Sequence, residues 1–500
     1  MKAKYIFIAL LAVFVTSCSN DELYQNPATS LTDETILQTK ETASTVLNGA
    51  YAQTGDYRYL TIGEIALEVM ANDLKMTDGA YNFSTYNWLM YAYNYVQYPR
   101  IVDGWWSAYA EYLWRYAYRA IDQANLIINN AENLPAGCED IVAQAYGIRG
   151  YNFLNLYHLF CPSYVSAGDG GQGLFLRLTP GSADGATNVP RSDLGTSLKQ
   201  IISDLTYANE HATSTSNYNI NKANTALLLA RTYLDMGDYA NAQKYAEQAS
   251  PVFDGSNLMS KEQYQSGFNT ENSEWLWAFN YVSETSKIYA SIPSFYHAAT
   301  YKDPESVFGT PGYGSQVTYS YLEDNAVDWM TGYSTVRVTW SFAGMFGEGD
   351  SRALFPFYID KRDGLFTSKY SSKGSLGIAD YPMARVAEAY LIEAECLARK
   401  SDPRGLEVLN ALQIKRGGTV SKTLSVDEVW YERRRELYGE GFALPDIKRL
   451  QKPLERVGDE HWTAVKSLPA NSPRFMFPIP ATELDYNKNT TAADQNEYWR

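Results

Sequence analysis

The chain is poor in the residues from which most reactive sites are built. In 500 residues there are 4 His and 4 Cys, so centres assembled from imidazole and thiolate have little raw material. His211, His297 and His461 show no metal-ligand spacing, and His158 lies in an apolar stretch that reads as core. Cations are also in deficit. Lys and Arg number 42 against 57 Asp and Glu, a net charge of -15, which argues against nucleic acid, since phosphate binding needs clustered Lys and Arg. There is no Gly-Lys-Ser/Thr phosphate loop and no G-x-S-x-G. Gly168-Asp169-Gly170-Gly171-Gln172-Gly173 has the G-x-G-x-x-G spacing, but a helical pattern precedes it and none follows, so a dinucleotide site is excluded. Neither a cofactor nor a metal is expected. What the chain has in abundance is rings: 41 Tyr, 19 Phe and 11 Trp. Hydrophobic residues make up 45%, enough for a large core.

Lys2 and Lys4 precede an apolar run from Tyr5 to Val15, too short to span a bilayer and shaped like a signal peptide. It leads into Val15-Thr16-Ser17-Cys18, which resembles a bacterial lipoprotein cleavage site with Cys18 as the acylated residue. Ser19-Asn20-Asp21-Glu22 resembles the acidic export signal of Bacteroidetes surface lipoproteins. The expected organisation is a signal peptide over 1–17 and a lipidated tether over 18–33. A helical region over 34–250 includes an aromatic loop segment at 73–98. A loop-rich insert over 251–380 and a C-terminal region over 381–500 complete it. Cys138, Cys161 and Cys396 are odd in number and far apart, so core thiols are expected rather than disulfides.

Helical period is strong in several places. Leu113, Tyr116, Ala117, Ala120, Ile121 and Ala124 fall on one face of a helix. Ile141–Phe160 is apolar around most of its circumference and ends at Cys161-Pro162, which predicts a buried helix. Residues 166–186 read as a loop. Between 221 and 250, Ala230, Tyr233, Gly237, Asp238, Tyr239, Ala242, Ala246 and Ala249 sit at the spacing of a tetratricopeptide helix–turn–helix unit. Such a unit cannot bury its own face, and the helices around 113–160 and 385–416 are its expected neighbours. Helical period resumes over Pro382–Arg399.

Three C-terminal segments complete a pattern begun by the lipoprotein start. They are Tyr381-Pro382-Met383-Ala384-Arg385-Val386-Ala387-Glu388 continuing to Glu395; Glu432-Arg433-Arg434-Arg435-Glu436-Leu437-Tyr438-Gly439-Glu440-Gly441 with Asp446-Ile447-Lys448-Arg449; and Phe477-Pro478-Ile479-Pro480 with Glu483-Leu484, Asn487 and Gln495-Asn496. With these the chain resembles the SusD/RagB family of outer-membrane nutrient-binding lipoproteins. The resemblance implies a mainly α fold, a tetratricopeptide-like helical repeat scaffold with a large loop-rich insert. It also implies a place on the outer membrane facing the exterior, held by lipid on Cys18. The implied partner is a SusC-like TonB-dependent transporter. The charges of Glu432–Gly441 read as structural ion pairs, and Phe477–Pro480 as packing.

The binding expectation rests on the aromatics. Tyr81, Phe83, Tyr86, Trp88, Tyr91, Tyr93, Tyr95 and Tyr98 are interleaved with Asp73, Asp78, Asn82, Asn87 and Asn94, and Tyr91, Tyr93 and Tyr95 alternate with period two. A sugar ring has an apolar C–H face and a rim of hydroxyls. Ring planes suit the former, and amides and short acids the latter. Asp73, Tyr81, Asn82, Trp88, Tyr91 and Tyr93 are therefore the expected contacts for an oligosaccharide or polysaccharide, with Tyr296, Trp329 and Trp340 of the insert on the opposite wall. Trp105, Trp106, Trp114 and their neighbours run into the periodic helix and read as core. The alternatives are a RagB-like peptide binder, a glycoside hydrolase, for which no carboxylate pair stands out among 57 acids, and a helical-repeat adaptor.

Overall fold

The computed structural model describes residues 36–77, 90–93, 109–181, 188–282, 285, 290–296, 335–355, 364–373 and 377–500. Cys18, Tyr81, Asn82, Trp88 and Trp329 lie outside them. The fold is mainly α. Helix α1 (Lys40–Thr54) starts at a Thr39 capping box, and α2 (Leu60–Val69) leads into the short strand β1 (Leu74–Met76). Helix α3 (Tyr109–Asn129) buries Leu113, Ala117, Ala120, Ile121 and Ala124, the stripe its periodicity predicts. Helix α4 (Glu139–Phe160) is buried on nearly every side, as its composition requires. A Cβ added at Gly147 would stand 2.4 Å from Ile220, so only glycine permits that approach. The stretch expected to be a loop also carries structure: α5 (Tyr164–Ala167) and β2 (Gln172–Phe175), the latter paired with β3 (Arg191–Asp193).

Asp193 caps α6 (Leu194–His211), whose Asp204 receives both arms of Arg149 from α4 at 2.8 and 2.7 Å. Helices α7 (Lys222–Met236) and α8 (Tyr239–Ala249) form the tetratricopeptide-like unit. Asn221 caps the first, and Gly237 closes it in the left-handed region at φ 75°. Asp238 caps the second, and Ala242, Ala246 and Ala249 form its buried seam. Its neighbours differ in part from expectation. The unit packs on the helix Val386–Arg399, but α6 stands between it and the α3–α4 pair.

The central region contains α9 (Lys261–Gln265), β4 (Trp275–Tyr281), α10 (Ile292–Tyr296), β5 (Val336–Val338) and α11 (Trp340–Ala343). Strand β4 pairs antiparallel with β6 (Ala379–Arg385), so the helix expected from Pro382 starts only at Val386. Pro382 sits opposite Ala278, where the register shifts, a place that tolerates a residue without an N–H. Helices α12 (Val386–Arg399), α13 (Arg404–Arg416), α14 (Val426–Leu437) and α15 (Ala443–Arg449) follow, then the β7 (Leu454–Glu455) and β8 (Ser467–Leu468) pair, and α16 (Ala481–Tyr486). The last family-like segment caps α4. Phe477 N–H donates to the Leu159 carbonyl at 2.9 Å, Asn496 to that of Phe160 at 2.8 Å, and Lys448 to those of His158 and Cys161 at 2.7 and 2.8 Å. Carbonyls orphaned at a helix end thereby gain donors. Cys138, Cys161 and Cys396 are buried free thiols, and His158 is a core residue paired with Asp235 at 2.7 Å.

A buried charge network joins these parts. Arg385 reaches Glu274, Glu436 and Glu440 at 2.5, 3.0 and 2.8 Å, and Arg416 reaches Glu274 and Glu436 at 2.8 and 2.9 Å. Lys369 adds Glu440 at 2.7 Å, while Arg352 binds Asp350, Glu432 and Glu436. Burial alone would raise the Glu436 carboxyl, but Arg416, Arg385 and Arg352 outweigh it and hold the group well below the usual range. Burial lowers the Lys369 ammonium to about 8 against the opposing pull of Glu440. Removing one partner strands the others in a medium that cannot solvate them. Glu436→Gln should therefore lower stability by about 3–5 kcal/mol in urea denaturation. Asp402→Asn, in the exposed pair with Arg404, should leave the midpoint unchanged.

Candidate functional site

The two aromatic-rich segments start from one ribbon. Strand β1 pairs antiparallel with β5 in the register Leu74↔Val338, Lys75↔Arg337, Met76↔Val336. The ladder extends at both ends: Thr77 N–H donates to the Thr335 carbonyl at 2.8 Å, and Thr339 N–H to that of Asp73 at 3.0 Å. Thr77 is the last described residue before the 78–89 segment, and Thr335 the first after 297–334. Helix α10, which ends at Tyr296, packs on β5. Lys75 and Arg337 face one another, a like-charge pair that opposes pairing. Lys75 Nζ donates to the Glu460 carbonyl at 2.5 Å, and the Arg337 guanidinium lies over the Phe366 ring at 3.6 Å, which disperses that repulsion.

Four expected contact residues belong to the interior instead. Asp73 is buried, and Arg434 of α14 occupies both its oxygens at 2.9 and 2.5 Å, so it bolts the ribbon to the helix rather than meeting a sugar hydroxyl. Tyr91 is fully buried, its hydroxyl 2.9 Å from His461 Nδ1 and its ring edge-on to Trp462 at 5.0 Å. Tyr93 is buried, donates to the Met70 carbonyl at 2.6 Å, and lies between Arg456 and Arg474, each 5.4 Å from its ring. Tyr296 is buried against Tyr370 with 5.1 Å between ring centres. The segment is not extended as the alternation suggests: the chain turns at Tyr93, with φ 55° and an N–H bond to Met90, and both rings lie in the interior. Each ring fills a site where guanidinium or aromatic neighbours cover it. Trp340 differs. It is only half-buried, at the start of α11, whose next residue, Ser341, is held by Glu460 at 2.7 Å.

The residues that brace this ribbon came from a segment to which the sequence assigned no role. Arg456 is buried and donates to the carbonyls of Val69, Ala71, Tyr91 and Val465. Trp462 Nε1 donates to the Met76 carbonyl at 2.7 Å. His461 Nε2 lies 3.1 Å from the Asn72 carbonyl, which can only accept. Nδ1 of the neutral ring therefore accepts from the Tyr91 hydroxyl. Burial, and then Arg456, hold the His461 imidazole down at about 3. Apart from the bond to Val465, these contacts cross more than 360 positions, beyond the reach of any local periodicity. Among the described residues, no group of three or more His, Cys, Asp and Glu side chains converges as a metal would require. Nor is any described helix long and apolar enough to cross a membrane.

Over residues 23–234 the chain matches the SusD-like family described as starch-binding, associating with outer membrane. A SusD-like protein of Formosa agariphila is 23% identical over an alignment of 510 positions, covering 90% of this chain and 92% of the relative. A SusD-like carbohydrate-binding protein from Bacteroides vulgatus superimposes with a TM-score of 0.73 at 23% identity, covering 92% of this chain and 98% of its own. A laminarin-binding SusD-like protein gives 0.68 at 18%, covering 92% and 99%. At these identities the solved structures establish the shared fold.

The His461 geometry sets a pH dependence. An imidazole near 6.5 when unfolded and about 3 when folded takes up its proton mainly on unfolding. The stability it supports is complete above pH 6.5 and is lost as the pH falls toward 3, at about 1.4 kcal/mol per unit. Between pH 7 and pH 4.5, His461→Gln should lose about 2–3 kcal/mol less stability than the parent chain in paired urea titrations. Equal losses in both would show that His461 is not held neutral.

Proposed function

From its membership of the SusD-like family, we propose that the chain is a non-catalytic cell-surface lipoprotein that captures an oligosaccharide or polysaccharide. Lipid on Cys18 anchors it to the outer membrane, and it delivers its ligand to a SusC-like TonB-dependent transporter. The observation that carries the reading is the β1–β5 ribbon. The Thr77–Thr335 hydrogen bond sets the aromatic segment after β1 and the aromatic insert before β5 side by side at their roots. Tyr81, Asn82, Trp88, Trp329 and Trp340 are the residue types a sugar needs, ring planes for its C–H face and amides for its hydroxyls. The burial of Asp73, Tyr91, Tyr93 and Tyr296 gives this platform a rigid base, which favours affinity from preorganised contacts. The names of relatives agree, since one is called carbohydrate-binding and another laminarin-binding.

Catalysis has no part in the reading. A hydrolase needs two carboxylates free to exchange protons, and Asp73, the acid nearest the ribbon, is engaged by Arg434. Calorimetric titration of the purified chain against a polysaccharide panel, with peptides as controls, tests the proposal. At least one glycan should bind with little dependence on salt. Trp88→Ala and Trp340→Ala should each weaken it by about 1–3 kcal/mol. Tyr91→Ala should instead lower the melting temperature. Binding to basic peptides alone, weakening with salt, would overturn the glycan assignment.

A further inference from the structure

An open cleft of about 360 Å³ lies between α3, residues 177–181 and α16, and shares no residue with the ribbon or the proposed platform. Its size falls in the range of roughly 300–1,000 Å³ typical of small-molecule sites. Trp114, Tyr118 and Ile121 lie beneath it, all of them buried or nearly so, the two large rings tilted together at 4.8 Å. Asn125 below them is already satisfied: its amide donates to the Arg177 carbonyl at 3.0 Å, and its oxygen accepts from Arg149 at 2.8 Å. The floor is therefore set before any ligand arrives.

The rim carries an ordered run of charge. Glu111, Arg115, Arg119 and Asp122 follow one another at intervals of four, four and three along α3, so they share a face with the two cations in the middle. The acids around the cleft are engaged. Glu483 takes Arg177 at 2.8 Å through both oxygens, the Trp114 indole at 3.2 Å and the Asn487 amide at 2.7 Å. Glu111 accepts from the Thr482 hydroxyl, and Asp122 from the Gly181 N–H. Arg115 and Arg119 differ. Among the described residues neither forms an ion pair, and their guanidinium groups lie against the rings of Tyr112 and Tyr116 at 5.0–5.8 Å. Arg115 Nε is buried with no hydrogen-bond partner. Arg115 is half-buried and Arg119 exposed, so an anion can reach both, and two like charges one turn apart gain from one placed between them.

We propose that this cleft binds a saccharide unit bearing one anionic substituent, a uronate carboxylate or a sulfate ester. The anion bridges Arg115 and Arg119, whose planar forks match carboxylate and sulfate oxygens, and the sugar lies in the cleft above the nearly buried Trp114 and Tyr118. Glu111 and Asp122 stand about 16 Å apart along the helix at 1.5 Å per residue. They flank the two cations and repel a second anion. The site is independent of the platform on the ribbon, and either can fail without the other.

The test is calorimetry on the purified full chain with a glucuronate-containing disaccharide, its methyl ester and a sulfated disaccharide, at low and high salt. The uronate or the sulfated sugar should bind at least about tenfold more tightly than the ester and weaken as salt rises, the stronger of the two identifying the group. The double variant Arg115→Gln/Arg119→Gln should abolish that difference while leaving neutral-glycan binding and the melting temperature unchanged. Equal affinity for acid and ester in the parent chain, or undiminished acid binding in a folded variant, overturns the proposal. If the variant does not fold, the acid–ester comparison on the parent chain decides alone.

Discussion

A single carboxylate, Glu436, joins the central strands to the C-terminal helices. This carboxylate accepts from Arg352, Arg385 and Arg416, which come from three separate parts of the chain, and its neighbours Glu274, Glu432 and Glu440 complete their coordination. Charges so deeply buried are tolerable only together, because each depends on the others for the solvation that water no longer supplies. The network thereby fixes a single arrangement of β4, β6, α13 and α14, since any slip would strand a charge. Its influence reaches the candidate site through α14. Glu432 and Glu436 of that helix enter the network, while Arg434 grips Asp73 at the start of the ribbon. The roots of the two aromatic segments are thus tied to the most constrained part of the molecule.

The sequence was legible where structure follows local period. The stripe of α3, the all-round burial of α4 and the alanine seam of α7–α8 lie where spacing alone puts them. The charges of Glu432–Gly441 read correctly as structural, because so many acids and bases at helical spacing beside apolar residues must pair when buried. Legibility ended where a role depends on distant partners. Pro382–Arg385 shares the period of the helix that follows, and only the pairing with β4 makes it a strand. The pair Tyr91 and Tyr93 alternates like an exposed strand, yet one turn and Arg456, more than 360 positions away, draw both rings inward.

Tyrosine explains much of that difficulty. In a chain with 41 of them, many of those described lie in the interior and tie down a polar group with the hydroxyl. Tyr51 donates to Gln144, Tyr118 to the Phe175 carbonyl and Tyr264 to the Glu436 carbonyl, each ring filling space while its hydroxyl ties down a polar group. Abundance of rings is therefore no guide to a binding surface. What separates a structural ring from a ligand platform is whether the protein itself covers its face. By that measure Trp340 is only half-buried where Tyr91, Tyr93 and Tyr296 are fully enclosed. The same criterion applied to cations sets Arg115 and Arg119 apart from the buried arginines of the network.

The central proposal is that the two aromatic-rich segments rooted at the β1–β5 ribbon grip carbohydrate without cleaving it. A crystal structure of the chain grown with the oligosaccharide it binds measures this most directly. The account predicts an intact glycan against Trp340 and the residues that follow Thr77 and precede Thr335, with the β1–β5 ribbon unmoved. A ligand seated wholly elsewhere, or one found with its glycosidic bond broken, would contradict it.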